Sequence, residues 1–247
     1  MNIQTQIQKI QKALTPVKSI GKKIRIGAGN DGGYVVVEEA LNASKHCLCF
    51  GAGGNIDVER QLAGKGKIVD CYDSSPDVGL LEELKDIPVG ESKILANNLT
   101  YHMTHVTGTN LSSIVPDCPF FLKMDIEGGE WEVLRGMSSD NKKNMNILVV
   151  EYHLNNEFYR SKNLMSVIDV LLGILDTHHL VHIHGNNYDI PNYGGTGVPA
   201  VVECCYLNKN LNLSSNEIDF SDYPTELDTP NNSNVPDYSL NWWKKSA

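Results

Sequence analysis

Three carboxylates, Asp125, Glu127 and Glu130, follow directly on an apolar run in "FLKMDIEGGEW", Phe121 to Trp131. Groups of this type at this spacing could hold a divalent cation, work as an acid and base, or sit in the acidic first turn of a helix. Polar residues also end other apolar runs. "VVEYH" closes on Glu151 and His153, "HIHGNN" carries His182, His184, Asn186 and Asn187, and "CYDSSP" sets Asp73 after a β-rich stretch. "CFGAGGNIDVE" contributes Gly51, Gly53 and Gly54 just ahead of Asn55 and Glu59. Glycines there permit a tight turn and close approach of the backbone to a ligand beside a helix start.

The elements that must position these residues alternate in kind. "KHCLCF", "KIVDCYD", "SKILAN", "PFFLKMDI" and "MNILVVEYH" lack polar alternation and read as strands buried on both faces. Between them, "IDVERQLAG", "DVGLLEELK", "GTNLSSIV" and "GEWEVLRGM" read as helices. This βαβ series predicts an α/β fold, a doubly wound and mostly parallel sheet with helices on both faces. The clearest helix is predicted over Asn163–His178. Two further strands follow, "LVHIHGNN" and "VPAVVECCYLN", and their helix-free link allows an antiparallel pair.

Ligands of such sheets bind at the carboxyl ends of the strands. That rule gathers Gly51, Gly53, Asp73, Asp125 and either Glu151 or His153 at one edge. A Gly-rich first turn followed by an acid ending the next strand indicates an adenosine-containing cofactor. Asp73 then binds a ribose diol or caps the turn before Ser74. Glu130 and Glu132 fit helix-start acids, which leaves Asp125 and Glu127 better placed for function. A dehydrogenase fingerprint would want a small residue where Ile56 stands, which counts against a nicotinamide cofactor.

The 247 residues suit one domain with appendages. Residues 1–44 read as an amphipathic helix and a hairpin-like extension with an Asn-Asp-Gly-Gly turn, and residues 45–207 as the α/β domain. Residues 208–247 read as a loosely structured Asn/Ser/Pro-rich tail that Trp242 and Trp243 could anchor. A net charge of −9 argues against a nucleic-acid partner, because phosphate binding needs a concentrated basic surface. No apolar run is long enough to span a membrane, and the first residues do not form a signal peptide. Six cysteines without a metal spacing suit reduced thiols, so a cytoplasmic protein acting on a small molecule or glycan is the expectation.

The block "FLKMDIEGGEWEVL" is similar to the K-x-D-x-E-G-x-E motif of FkbM-type S-adenosylmethionine-dependent methyltransferases, with Lys123, Asp125, Glu127, Gly128 and Glu130 matching. The upstream Asp31–Val35 element, the "CFGAGGN" loop and the His184–Asn187 stretch resemble a eukaryotic and viral methyltransferase-like branch of it, in the expected order. The resemblance implies a class I methyltransferase fold, Rossmann-like, with seven strands of which the last is antiparallel. It implies that Gly51 and Gly53 approach the methionine part of S-adenosylmethionine, that Asp73 binds ribose, and that Asp125 lies near the transferred methyl.

Many class I enzymes carry an acid two residues before the first loop glycine, where this chain has Cys49. The ammonium of the cofactor is then left to Asp125, Asp57, Glu59 or backbone carbonyls. The expected reaction is O-methylation of a hydroxyl on a sugar or other small molecule, with Asp125, Glu127 or His153 as base and His184 and Asn186 toward substrate. A magnesium ion on Asp125, Glu151 and Glu127 would be an alternative way to orient a diol, but the spacing does not require it and no metal is assigned. The rival readings are an NAD-dependent oxidoreductase and a cofactor-binding scaffold without activity.

Overall fold

The apolar runs without alternation become strands of one eight-stranded sheet, those at its centre buried along their length. The computed structural model describes residues 2–75, 82–84, 86–154, 164–189 and 197–244. The chain opens with α1 (Ile3–Ala13), β1 (Val17–Ser19) and the strands β2 (Lys23–Gly27) and β3 (Gly33–Val37). It continues through α2 (Glu38–Ala43), β4 (His46–Phe50), α3 (Asp57–Gly64), β5 (Ile68–Tyr72), β6 (Ser92–Ala96) and β7 (Leu99–His102). Next come α4 (Leu111–Ile114), β8 (Phe120–Met124), α5 (Glu130–Gly136), α6 (Ser139–Asn144) and β9 (Met145–His153). The last elements are α7 (Met165–Leu175), β10 (His178–Gly185), β11 (Val201–Asn208) and β12 (Ser214–Ile218).

The sheet order is β10-β11-β9-β8-β4-β5-β7-β6. β4 pairs in parallel with both β5 and β8, so the strand order reverses at its carboxyl end, where open sheets form ligand crevices. β11 runs antiparallel between β9 and β10. This is the mostly parallel α/β sheet predicted, with its late antiparallel strand in place. β6 adds an eighth strand at the edge.

"SKILAN" departs from its prediction as a buried parallel strand. It pairs antiparallel with β7, and Ile94 is 74% exposed. The parallel partner of β5 is instead β7, a four-residue strand whose alternation of buried Leu99 and Tyr101 is too short to stand out in sequence. "GTNLSSIV" yields only a single helical turn, Leu111–Ile114. "DVGLLEELK" lies mostly outside the described residues, which show a 3-10 turn at Glu82–Leu84.

Alternate residues along the strands feed two cores, one on each face. Phe50, Leu122, Val150 and Trp131 pack on one face, with α1 and α7. Val69, Phe121, Val149 and Leu62 pack on the other. Each such side chain contributes about 1.5–3 kcal/mol of burial. The six cysteines are free thiols. No helix among the described residues is long and apolar enough to cross a membrane.

Residues 209–244 pack onto the domain rather than forming the loose tail suggested by composition. β12 pairs with β1, and Tyr223 bridges Leu240. Trp242 and Trp243 are buried against each other, their indole N–H groups donating to the carbonyls of Gln11 and Asp219. Acids of this segment meet histidines of β10, Asp228 at 2.8 Å from His182 and Asp237 at 2.9 Å from His184. Composition misses this because its contacts with β1, α1 and β10 are remote in sequence.

Candidate active site

At the end of β4 the chain turns sharply through Gly51, whose φ is 81°. A Cβ there would overlap the carbonyl oxygen of Asp125, so glycine is required for the loop to cross the end of β8. Gly53, with φ of 53°, has no atom within 4 Å of the position a Cβ would take. Asp73, just past β5, fastens this loop. Its Oδ2 accepts the N–H groups of Ala52 and Gly53 at 2.9 and 3.0 Å, and Oδ1 accepts that of Ser75 at 2.8 Å. Asn55 lies two residues before α3, its Oδ1 accepting the Asp57 N–H at 2.8 Å.

Beside the loop lies a cavity of about 420 Å³. Gly51, Gly53, Asn55, Glu59, Asp73, Asp125 and Glu127 all line it, as do Asp31 and Gly32 from the β2–β3 turn. Tyr72, Ser74, Thr104 and His105 form the side toward β5 and β7. The volume falls in the range of small-molecule and cofactor sites.

Asp125 reaches the cavity wall from the end of β8. Its N–H donates to the carbonyl of Phe50, which sets it at the tip of β8. Its Oδ2 accepts the Tyr34 hydroxyl at 3.1 Å. Burial raises its pKa, against the pull of Lys123 and His153. Glu127 adopts a left-handed φ of 55°, rare for a residue with a side chain, and reaches His153 Nε2 at 3.2 Å.

Glu130 is the first residue of α5, as a helix-start acid should be, yet it is fully buried. Its Oε1 accepts the N–H groups of Ile126 and Gly128 at 2.9 and 3.1 Å and faces His153 Nδ1 at 3.2 Å. His153 thus stands between Glu127 and Glu130, with Glu151 at 3.5 Å. Burial acts to lower its pKa, but the two flanking carboxylates push it up to about 11. At neutral pH it is an imidazolium, with no lone pair to accept a proton.

Two substrate candidates from the late strands do not line the cavity among the described residues. His184 is buried between Glu203 and Asp237, each at 2.9 Å. Asn186 donates to Glu151 Oε2 at 3.2 Å.

The Methyltransferase FkbM domain family matches residues 23–188, more than half of the chain. The chain belongs to the FkbM methyltransferase family. No curated protein matches it. Among solved structures, this FkbM methyltransferase is similar to methyltransferase FkbM from Methylobacillus flagellatus KT, at 21% identity over 67% of this chain and 44% of that one, with a TM-score of 0.40. It is also similar to the Methanococcus jannaschii fibrillarin pre-rRNA processing protein, at 10% identity over 77% of this chain and 84% of that one, with a TM-score of 0.41.

The donor chemistry of this FkbM methyltransferase suits a cofactor with a nucleoside and an amino-acid end. The open Gly53 backbone, acceptors at Asp73 and the buried, weakly bonded oxygens of Glu59 all border one cavity. Two donor sets have ligand atoms within 4.8 Å of one another, Asp125–Glu127–His153 and Asp31–Glu151–Glu203.

Sequence reasoning passed over Tyr34, Asp31 and Lys123 as site residues. Lys123 shares its strand face with Asp125, two positions on, and this was the available signal. Tyr34 and Asp31 lie within the Asp31–Val35 element. The return of the β2–β3 hairpin over the sheet edge has no local signature.

Proposed function

We propose that this FkbM methyltransferase transfers the methyl group of S-adenosylmethionine to a hydroxyl of a small molecule or glycan. The observation that carries the reading is the cavity at the switch point, where the Gly51–Gly54 turn and Asp125 face one another. When bound, the cofactor supplies a methyl group already activated by its sulfonium, so the protein chiefly aligns donor and acceptor.

Asp73 keeps the glycine turn in place and retains acceptor capacity toward a ribose. Asp125 Oδ1, the oxygen not engaged by Tyr34, would take the proton of the acceptor hydroxyl during transfer of the methyl group that the cofactor would supply. The desolvation that raises the Asp125 pKa makes it a stronger base than an exposed carboxylate. Its Oδ2 bond to Tyr34 fixes the orientation of the group. His153, held as a cation, keeps Glu127 and Glu130 in position and moves no proton in this scheme.

Calorimetry with S-adenosylmethionine, S-adenosylhomocysteine and NAD tests the cofactor. Binding of the two S-adenosyl ligands but not of NAD is expected, and the reverse pattern would sink the reading. Single-turnover assays with Asp125→Asn then test chemistry, with loss of transfer and retained cofactor binding as the expected result. Full transfer by that variant removes Asp125 as base.

A further inference from the structure

Glu59 on α3 is fully buried and lines the cavity beside the glycine turn, and among the described residues its oxygens have only its own backbone N–H and the weakly donating Cys49 thiol close by, neither in good hydrogen-bond geometry. Its nearest cation is Lys123 Nζ at 3.8 Å, and that ammonium donates instead to the carbonyl of Gly51. A buried carboxylate with such weak donors is costly once ionised, so this one has the capacity to accept a stronger donor.

Its place is informative. The carboxylate adjoins the thiol of Cys49, two residues before Gly51 on β4. There the strand itself lacks the acid that such a cofactor turn would be expected to carry. α3 follows directly on the turn, so a side chain from its first residues can return the missing charge to the same spot from the opposite side.

Resting on the S-adenosyl reading above, we propose that Glu59 binds the ammonium of the cofactor's amino-acid end, replacing a strand acid with a helix acid. Of the groups left open by sequence, Asp57 does not line the cavity, and Asp125 already accepts from Tyr34. Lys123 is a positioning residue: it draws the Gly51 carbonyl inward and holds Glu59 close to the turn. Burial raises the Glu59 pKa and Lys123 opposes this, as suits a carboxylate that becomes fully ionised once a second cation arrives.

The test compares two ligands that differ in this end alone. S-adenosylhomocysteine carries the ammonium, whereas 5′-methylthioadenosine lacks the amino-acid portion. Calorimetry on the wild-type chain should show tighter binding of the first. In Glu59→Gln that advantage should shrink by roughly tenfold to hundredfold, the range of a hydrogen bond between charged groups, with 5′-methylthioadenosine affinity unchanged. Cys49→Asp combined with Glu59→Gln, which returns the acid to the strand, should recover the preference.

A preference unchanged in Glu59→Gln, or equal weakening of both ligands, overturns the proposal. If Glu59→Gln does not fold, the double variant decides: wild-type preference supports the assignment and no preference defeats it. Failure of the wild-type chain to bind either ligand would instead defeat the S-adenosyl reading.

Discussion

Tyr34 donates its hydroxyl proton to Oδ2 of Asp125 at 3.1 Å, across 91 positions of sequence. This bond stabilises the ionised carboxylate, so its removal should raise the Asp125 pKa further. Tyr34→Phe should therefore lower kcat about tenfold or more and move the acidic limb of the kcat–pH profile to higher pH. Cofactor affinity should stay the same. An unmoved limb separates Tyr34 from the proton-accepting group.

Asp73 joins the end of β5 to the turn after β4 through three N–H groups. Asp73→Asn retains the shape but weakens charge-assisted bonds, and it should cost about 1–3 kcal/mol of cofactor binding measured by calorimetry. Thermal unfolding should change much less, because the sheet contacts remain.

His153 and His184 make stability depend on pH. Burial opposes their charge, yet neighbouring carboxylates raise their pKa values to about 11 and about 10, from an ordinary 6.5. The folded state thus binds protons more tightly than the unfolded chain. Their stabilisation is fully present below pH 6.5 and is lost as pH rises toward 10–11. Urea denaturation between pH 6 and 10 should show falling stability, about 1.4 kcal/mol per pH unit for each proton taken up. Replacement of His184 by Gln should flatten the slope, and an unchanged slope would place the protons elsewhere.

Trp243 fills a buried site beside Tyr223 and donates to the Asp219 carbonyl. Trp243→Ala should destabilise the chain by about 3–5 kcal/mol. Chemical unfolding followed by circular dichroism checks this, and a change below about 1 kcal/mol would show that the segment after Asn208 is not part of the cooperative unit.

Much of the fold was legible because unalternated apolar runs have few uses other than doubly covered strands. "MNILVVEYH" is β9, buried along its full length. β7 escaped because four residues carry too little period, and "SKILAN" misled because its apolar content matches a buried strand while its neighbours leave it uncovered. In the site, Asp125 was readable from its position after β8. Asp73 was readable as a strand-end acid, and its cap role was one of the two readings available for it. The charge on His153 was not readable, since it depends on Glu127 and Glu130 folding back over β9. His184 looked available in sequence because nothing there reveals Asp237, 53 residues later.

The pairing of Val17–Ser19 with Ser214–Ile218 also governs the order of events during synthesis. The earlier strand leaves the ribosome almost two hundred residues before its partner exists, as the separation of Lys18 and Glu217 by 199 positions records. Its backbone groups must wait, hydrated, while the central sheet forms. Closure of the molecule is therefore a late, long-range step that follows translation of the last strand, and interruption before that point leaves β1 without its pairing partner.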